Sequence, residues 1–343
     1  MAAQHQHYVP QLLLRGFLSR DPKLAVKEQV HVFDLKEGVE FSPSIANVMG
    51  ERRFNDFWID DETLATIEPA TSRIESHFAP LIERIRDEKR LTRTAEELAD
   101  LSLLLAFQFI RTKKMRLLPE RLNSFMKAHV RRLGFDPSKV DGIEEWTEDK
   151  LKIQHVRQQF RSLEDYARAI SDKEFFLMRS PEGSSFYLGD HPVVLHNDEE
   201  SRGRMGRLGL AAPYIQIYLP LSAEIMLCAY DRAVLGQLMR GRDEVVAEGQ
   251  GMVLRALMDG KITAAQMKSI IESGNDYDIT TPLIAAIRAG EPVIVGSEQV
   301  QCYNSLQAFQ AHRFVIDPDG KFNVAREMVS ERQAAEQREG AVQ

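Results

Sequence analysis

The adjacent pair Asp190-His191 is the first place where residue types suggest chemistry. An apolar run ends at Gly189 just before the pair, and Pro192 fixes the backbone just after it. A carboxylate and an imidazole at the end of a strand suit a divalent metal ion or an acid–base couple. The alternative is an Asx turn that carries a surface histidine.

His5 and His7 form a second group near the start of the chain. Alternate residues of an extended segment point to the same side, and imidazole nitrogens are metal ligands. We therefore predict that a divalent metal, if one is bound, is held by His7 together with Asp190 and His191. The alternative is that these N-terminal histidines are solvated.

A third group lies on a predicted helix whose apolar stripe runs through Leu101, Leu104 and Leu105. Gln108 and Arg111 continue that stripe with polar groups. Burying a guanidinium without a partner is costly, so an acid, an anion or a water-filled cavity is expected to meet it. Arg111 would then grip an anionic group. The alternative is that the helix has ended and Arg111 is solvated.

The stretch Arg111–Arg132 is strongly basic although the whole chain is acidic. It holds eight Lys and Arg residues against Glu120 alone, which gives 8 − 1 = +7 by formal count. Such a patch attracts an anionic small molecule or nucleic acid. The alternative is a solvated helix face that is paired with the acidic residues of 141–149.

The composition is that of a globular protein and argues against a disulfide-stabilised, secreted or membrane-spanning protein. The 343 residues carry a formal charge of −7 and 43% hydrophobic residues, which is ordinary for a globular protein. The two cysteines, Cys228 and Cys302, make no disulfide framework and are predicted to be buried free thiols. No secretory signal is visible, and the longest apolar stretch is too short for a membrane helix. We expect a cytoplasmic protein without a membrane partner.

Known catalytic motifs offer no guide. The sequence contains no HExxH, CxxC or GxSxG motif and no kinase motif set. The Arg- and Gly-rich stretch Ser201–Gly209 lacks the spacing of a phosphate-binding loop, and a surface loop is the favoured interpretation.

Helical and strand patterns are segregated along the chain. Residues 61–170 and 243–290 are helix-rich, and residues 171–230 are β-rich. This order predicts an α+β fold in which a helical region packs against a mainly antiparallel sheet. We expect a single large domain over 1–325 and a mobile C-terminal tail over 326–343.

Two β-hairpins are predicted within this plan. The first joins Val30–Leu35 to Val39–Phe41, and the second joins Phe175–Met178 to Ser185–Leu188 around the turn residues Ser180–Gly183. The segment 304–313 is predicted to be helical and to lead into a strand.

The order of several short motifs resembles the bacterial domain-of-unknown-function family 4238 over residues 5 to 316. These motifs are His7-Tyr8-Val9-Pro10-Gln11, Gln108-Phe109-Ile110-Arg111-Thr112, Gly189-Asp190-His191-Pro192-Val193, Pro220-Leu221-Ser222, and Asn304 ahead of Ala311-His312-Arg313. Gly189 departs from the family pattern, which has Ser or Thr there. The resemblance implies a polar signature made of His7, Gln108, Arg111, Asp190, His191 and Asn304.

Two functions are compatible with this signature. One is a hydrolase that acts on a phosphoester, with nucleic acid as a candidate substrate and the six signature residues as its site. The other is a non-enzymatic module that binds a ligand or a protein, in which the same residues form a buried structural network.

Overall fold

The segregated helices and strands form an α+β fold packed as one domain, as predicted. A computed structural model describes residues 5–60, 62–143, 145–197, 208–275 and 280–340. The strands are β1 (His5–His7), β2 (His31–Asp34), β3 (Val39–Phe41), β4 (Gly50–Arg52), β5 (Asp56–Trp58), β6 (Leu64–Thr66), β7 (Glu174–Arg179), β8 (Leu188–Gly189), β9 (Val194–His196), β10 (Gln216–Pro220), β11 (Ile225–Tyr230), β12 (Val293–Ile294) and β13 (Phe314–Asp317).

Twelve α-helices and three short 3-10 helices complete the described part of the chain. The α-helices are α1 (Gln11–Leu14), α2 (Pro22–Ala25), α3 (Glu68–Glu88), α4 (Ala95–Ile110), α5 (Lys113–Arg116), α6 (Leu118–Arg132), α7 (Glu148–Ser171), α8 (Arg232–Met258), α9 (Ala264–Asn275), α10 (Thr280–Ala289), α11 (Ser297–Gln310) and α12 (Asn323–Gly340). The 3-10 helices are Arg15–Phe17, Ile45–Asn47 and Pro137–Lys139.

The larger sheet has the strand order β12-β7-β11-β10-β9 and is antiparallel except for the pair β12–β7. Its side chains alternate between two apolar clusters, as the period of two in a strand requires. Phe175 and Leu177 face the core formed with α3 and α4. Phe176 and Met178 face a second core formed with α10 and α11. The sheet is therefore covered on both faces.

The smaller sheet has the order β3-β2-β13-β8 and contains the first predicted hairpin, β2–β3. The second predicted hairpin is wrong. β7 pairs with β11, whereas Leu188–Gly189 pairs with β13. Between them the chain crosses from one sheet to the other, where Phe186 N–H donates to Ala223 O over 2.9 Å. A turn signal cannot show that the two flanking strands join different sheets.

Helix α4 places the third group of predicted site residues. Thr94 caps it by accepting a hydrogen bond from Glu97 N over 3.2 Å, as the capping pattern of its sequence favours. Its apolar stripe is buried and packs along α7. The helix ends at Ile110, and Thr112 opens the short helix α5. The backbone bends at Arg111-Thr112, so both side chains remain inside.

The C-terminal segment differs from the expected mobile tail. Helix α12 continues through Gly340, and Ala325 and Val329 pack into an apolar cluster with Phe33. Arg332 also donates to Leu35 O over 2.7 Å. Two apolar residues spaced by four dock the first part of this helix, although charged residues surround them, and the mobility of the segment beyond Arg332 stays a prediction. Residues 341–343 lie outside the described part.

The structure also bears on three further predictions, which concern the cysteines, the Arg- and Gly-rich loop and membrane-spanning helices. Cys228 is buried as expected, but Cys302 is exposed. The loop predicted at Ser201–Gly209 lies largely outside the described residues. None of the helices in the described ranges combines the length and the apolar character that a membrane span requires.

Candidate functional site

The end of α4 holds the N-terminal segment in place. Arg111 Nη2 donates to His7 O over 2.7 Å, and Gln108 Nε2 donates to Tyr8 O over 3.1 Å. The same Arg111 nitrogen lies 2.6 Å from a carboxylate oxygen of Glu75 on α3. Arg111 is therefore buried with an acid as its partner, one of the surroundings predicted for it, and it also anchors a backbone carbonyl. Among the described residues, its Nη1 has no partner within hydrogen-bonding distance.

His7 contributes to this region mainly through its backbone. Its Nε2 lies 2.9 Å from Ile45 O, and its ring meets that of His5 edge to face at 5.2 Å. Burial lowers the pKa of His7, and the neighbouring His5 lowers it further. The imidazole is neutral at pH 7 and is tied to the loop that contains Ile45.

The predicted metal ligands are not assembled into a metal site. No three His, Cys, Asp or Glu side chains in the described part of the chain are arranged to hold a metal ion. His7, Asp190 and His191 all belong to that part. The sequence suggested these ligands by residue type, but each one has another partner.

Asp190 uses its carboxylate to hold the turn that follows α11. Oδ1 accepts from His312 N over 2.6 Å, and Oδ2 accepts from Arg313 N over 2.9 Å. The side chain is fully buried. Burial raises the pKa of Asp190 to about 6, against the opposing effect of these backbone amides. The carboxylate is ionised at pH 7 and is saturated by backbone donors.

His191 is equally enclosed. Its Nδ1 lies 2.7 Å from the hydroxyl oxygen of Thr112, and its ring packs 5.3 Å from that of Phe109. Burial lowers the pKa of His191 to about 3, so the imidazole is neutral at pH 7. The pair Thr112–His191 thus connects the end of α4 to the segment after β8. Both side chains are shielded from solvent.

Asn304 belongs to a row of three amides along the buried side of α11. Its Oδ1 accepts from Tyr187 N over 2.7 Å, and its Nδ2 donates to Ser185 O over 2.9 Å. The row consists of Asn304, Gln307 and Gln310, spaced by three residues, and we call it the amide ladder. Its first member therefore replaces a strand partner for residues 180–187, which cross between the two sheets and which we call the crossing segment.

The other two members of the amide ladder act in the same way. Gln307 accepts from Gly189 N over 2.9 Å and donates to Pro192 O over 2.9 Å. Gln310 accepts from Leu195 N over 3.1 Å and donates to the carbonyl of the same residue over 2.7 Å. The amide ladder thus satisfies the backbone of 185–195, which has few strand partners.

The contact between Gly189 and α11 gives this glycine a structural reason. A Cβ atom at position 189 would lie 3.0 Å from Oε1 and 3.1 Å from the carbonyl oxygen of Gln307. Such contacts are tighter than ordinary packing. Glycine at this position lets the strand approach the helix closely. This close approach is the structural consequence of having Gly189 where the family pattern has Ser or Thr.

These side chains form one buried polar network, a name we use for Gln108, Arg111, Thr112, Asp190, His191 and the amide ladder. All of them are buried, and most of their polar atoms bond to backbone. The network joins the N-terminal segment, the crossing segment and the turn after α11. Five of the six signature residues belong to it, and His7 contributes a carbonyl.

A second polar group lies beside the network but reaches solvent. We call Lys114, Arg121 and His312 the basic cluster. Lys114 Nζ donates to Gln310 O over 2.6 Å, and Arg121 Nη2 lies 2.6 Å from His312 Nδ1. Neither cation has an ion pair with a described carboxylate within 4.0 Å. The basic cluster therefore holds positive charge without a contacting counter-charge.

The pKa values in the basic cluster reflect this crowding. Burial lowers the pKa of Lys114 to about 8, and the charge of Arg121 lowers it further. Burial lowers the pKa of His312 to about 4, and Arg121 again contributes. At pH 7 the cluster thus carries two cations and one neutral imidazole.

The rest of the basic stretch divides into paired and unpaired residues. Lys113 forms an ion pair with Glu51, and Arg116 is buried with its guanidinium 3.4 Å from the ring centroid of Phe54. Lys127, Arg131 and Arg132 have no ion pair with any described carboxylate. Within the same ranges, none of the basic stretch pairs with the acidic residues of 141–149. The charge of Glu148 nevertheless acts on Arg116 from farther away, so the solvated-pairing alternative stays open.

Sequence reasoning missed the amide ladder and the role of His312. Gln307 and Gln310 repeat the three-residue spacing of Asn304, which is the signal that could have revealed a buried row. His312 stands in one of the motifs that carried the family resemblance. Its partner Arg121 comes from a distant helix, which no local pattern in the sequence indicates.

The fold and these contacts define an α+β protein in which a buried polar network ties distant segments together beside a solvent-facing basic cluster. A family model described as a protein of unknown function (DUF4238) matches residues 5–321, and the chain belongs to this family. The resemblance noted from the motifs is thereby confirmed. No curated protein and no solved structure matches the chain.

Proposed function

We propose that this protein binds single-stranded nucleic acid, with the basic cluster holding a backbone phosphate. The observation that carries the proposal is the pair of cations, Lys114 and Arg121, beside His312; neither contacts a described carboxylate, and the charge of Asp190 acts on Lys114 only from farther away. Two cations held close together without a contacting counter-charge repel each other, and an anion between them offsets that repulsion. The signature residues keep a structural role in this proposal.

The tautomer of His312 suits phosphate binding. A guanidinium offers hydrogen-bond donors and no acceptor, so His312 Nδ1 must accept from Arg121, and the ring hydrogen then lies on Nε2. That Nε2–H donates to an anionic oxygen. Arg121 and Lys114 add charge-assisted hydrogen bonds to the same group.

One side of α6 extends this interaction toward nucleobases. Arg121, Phe125, His129 and Arg132 follow one another at spacings of three and four, so they share a helix side. Phe125 is 71% exposed, and its ring is nearly parallel to that of His129 at a centroid distance of 6.5 Å. The two nearly parallel rings therefore offer stacking faces to a base.

A groove between α6 and α7 lies next to this side. It has a volume of about 360 Å³ and is lined by Leu118 and Leu122 from α6 and by Arg157 and Arg161 from α7. Apolar side chains beside arginines suit bases and phosphates together. The groove gives a strand a continuous path past α6.

Fluorescence anisotropy with a labelled single-stranded oligonucleotide tests the proposal. Arg121→Ala is expected to weaken binding about tenfold, because a charge-assisted hydrogen bond contributes about 1.5 kcal/mol or more. The slope of log K against log salt should fall by about 0.7 when one phosphate contact is lost.

The matched control is Arg73→Ala on α3, which removes an exposed arginine that has no ion pair among the described residues. It should leave both affinity and salt slope unchanged. If Arg73→Ala and Arg121→Ala weaken binding equally, the attraction is non-specific and the proposal fails. The same is true if the wild-type protein does not bind the oligonucleotide at physiological salt.

Phosphoester hydrolysis stays a prediction of the signature residues. These residues are buried and bonded to backbone groups, which favours a structural role. Any cleavage would therefore have to be carried out by the basic cluster, which we propose as the binding site. Incubation of the oligonucleotide with wild-type protein and with His312→Ala, followed by separation on a denaturing gel, tests this. We propose that the protein acts in the cytoplasm, where an exposed thiol such as Cys302 stays reduced.

A further inference from the structure

The basic cluster offers more positive charge and more hydrogen-bond donors than a phosphate inside a nucleic-acid chain can use. Such a phosphate is a diester with one negative charge and two oxygens that are not bonded to a sugar. A phosphate at the end of a chain is a monoester, which carries about −1.5 to −2 charge at pH 7 and has three such oxygens. The charge and the donors of the cluster therefore indicate which of the two it fits.

Each of the three side chains in the cluster keeps donors for a ligand. In the contacts between described residues, Lys114 uses one of its three ammonium hydrogens for Gln310 O. Arg121 uses one of the five hydrogens of its guanidinium for His312 Nδ1, and His312 keeps the hydrogen on its Nε2. The three residues can thus supply one donor each to three phosphate oxygens.

The surroundings of His312 add positive charge to the cluster. Burial is the main cause of the low pKa of His312, and the charges of Arg121, Lys36, Lys113 and Arg313 lower this pKa further. Lys113 and Arg313 have acidic partners of their own. Lys36 forms no ion pair with a described carboxylate. It is therefore a third cation, beside Lys114 and Arg121, whose charge a ligand can offset.

Asp190 is the acid whose charge acts on the cluster, and it does so from farther away. Its two oxygens already accept from the backbone amides after α11, so it does not compete for the donors of the cluster. By formal count, Lys36, Lys114 and Arg121 together with Asp190 give 3 − 1 = +2. This charge matches a phosphomonoester better than a phosphodiester.

We infer that the basic cluster binds the terminal phosphate of a single strand in preference to a phosphate within it. The inference rests on the proposed function, because the strand is the one that follows α6 past Phe125. The end phosphate gives one oxygen each to Lys114, Arg121 and His312. A strand without an end phosphate uses a backbone phosphate instead and binds more weakly. The chemistry is the same for a 5′-phosphate and a 3′-phosphate.

Fluorescence anisotropy with strands that differ only at their ends tests the inference. One sequence, labelled on an internal base, is prepared with a 5′-phosphate, with a 3′-phosphate and with hydroxyl groups at both ends. A phosphate at the end that occupies the cluster should strengthen binding about tenfold, since it adds a charge and a charge-assisted hydrogen bond. The arm that shows this gain identifies the end.

The failures of the inference and of the proposed function are distinguishable in this experiment. Equal affinities for the three strands overturn the inference and leave the proposed function standing. If none of the three strands binds at physiological salt, the proposed function fails and the inference fails with it.

Three variants test whether the basic cluster causes the preference for a phosphorylated end. His312→Ala removes the donor for the third oxygen and should reduce the preference about threefold or more. Lys36→Ala removes an exposed charge that has no ion pair among the described residues, and it should reduce the preference about twofold. The matched control, Arg73→Ala on α3, should keep the full preference.

The same variants can contradict the inference. An undiminished preference in His312→Ala places the end phosphate elsewhere and overturns it, and so does an equal loss of preference in Arg73→Ala. Circular dichroism shows whether each variant is folded. If His312→Ala does not fold, Lys36→Ala takes its place, and an undiminished preference in that variant overturns the inference.

Discussion

The buried polar network and the basic cluster meet at the turn after α11, and they use similar residues in opposite ways. Asp190 of the network holds the backbone amides of His312 and Arg313. The His312 side chain points instead to Arg121 in the basic cluster. Carboxylate and amide atoms in the network bond to backbone groups, whereas the cations in the cluster bond to a carbonyl and an imidazole and contact no carboxylate among the described residues.

This difference separates stability from binding. A buried side chain that satisfies backbone groups contributes to folding, and its removal leaves those groups unpaired. A half-exposed cation without a counter-charge contributes little to folding but attracts an anion. Variants in the network should therefore change the free energy of unfolding, and variants in the cluster should change affinity.

The largest expected effect is that of Asp190→Ala. It leaves two partly buried N–H groups without their acceptor and should lower the free energy of unfolding by about 3 kcal/mol. Asp190→Asn keeps one acceptor oxygen and should cost less. Urea unfolding followed by circular dichroism measures both. Wild-type stability in Asp190→Ala would show that the carboxylate is not structural.

The amide ladder gives the next effect. Gln307→Ala removes an acceptor for Gly189 N and a donor for Pro192 O, and it should cost about 2 kcal/mol. The matched control is Gln301→Ala, at an exposed position of the same helix, which should stay within about 0.5 kcal/mol of wild type. Equal unfolding midpoints for the two variants would remove the distinction between the buried and exposed sides of α11.

On α6, Phe125→Ala should weaken oligonucleotide binding about tenfold, because stacking contributes about 1–3 kcal/mol per base. The salt slope should not change, since stacking releases no counterions. Phe309→Ala, at an aromatic residue of α11 that is 74% exposed, serves as the control for anisotropy measurements. An altered salt slope in Phe125→Ala would place Phe125 among charge contacts instead.

A smaller effect concerns pH. The pKa of Lys114 is lowered to about 8, so its ammonium form is present below pH 8 and is lost as the pH rises through that value. A bound phosphate favours the ammonium form. Affinity should therefore fall by roughly threefold to tenfold between pH 7 and pH 9. Lys114→Arg keeps its charge over this range and should abolish the decline, and a decline that persists in this variant would assign it to another group.

The sequence predicted which residues are unusual better than it predicted what they contact. Gln108 and Arg111 interrupt an apolar stripe, so their burial could be predicted. Their partners are backbone carbonyls of the N-terminal segment, and every segment of a chain offers such carbonyls. The predicted hairpin after β7 failed for a similar reason, because the strand that pairs with Leu188–Gly189 lies more than a hundred residues away. Patterns reveal burial, whereas pairing depends on topology.

Side-chain NMR of Lys114, assigned by comparison with Lys114→Arg, tests the central claim most directly. In the free protein its ammonium group should titrate with a pKa near 8. On addition of saturating single-stranded oligonucleotide, this pKa should rise by about one unit or more, because the phosphate stabilises the charged form. If the oligonucleotide binds and the titration of Lys114 does not move, the phosphate lies elsewhere and the basic cluster is not the binding site.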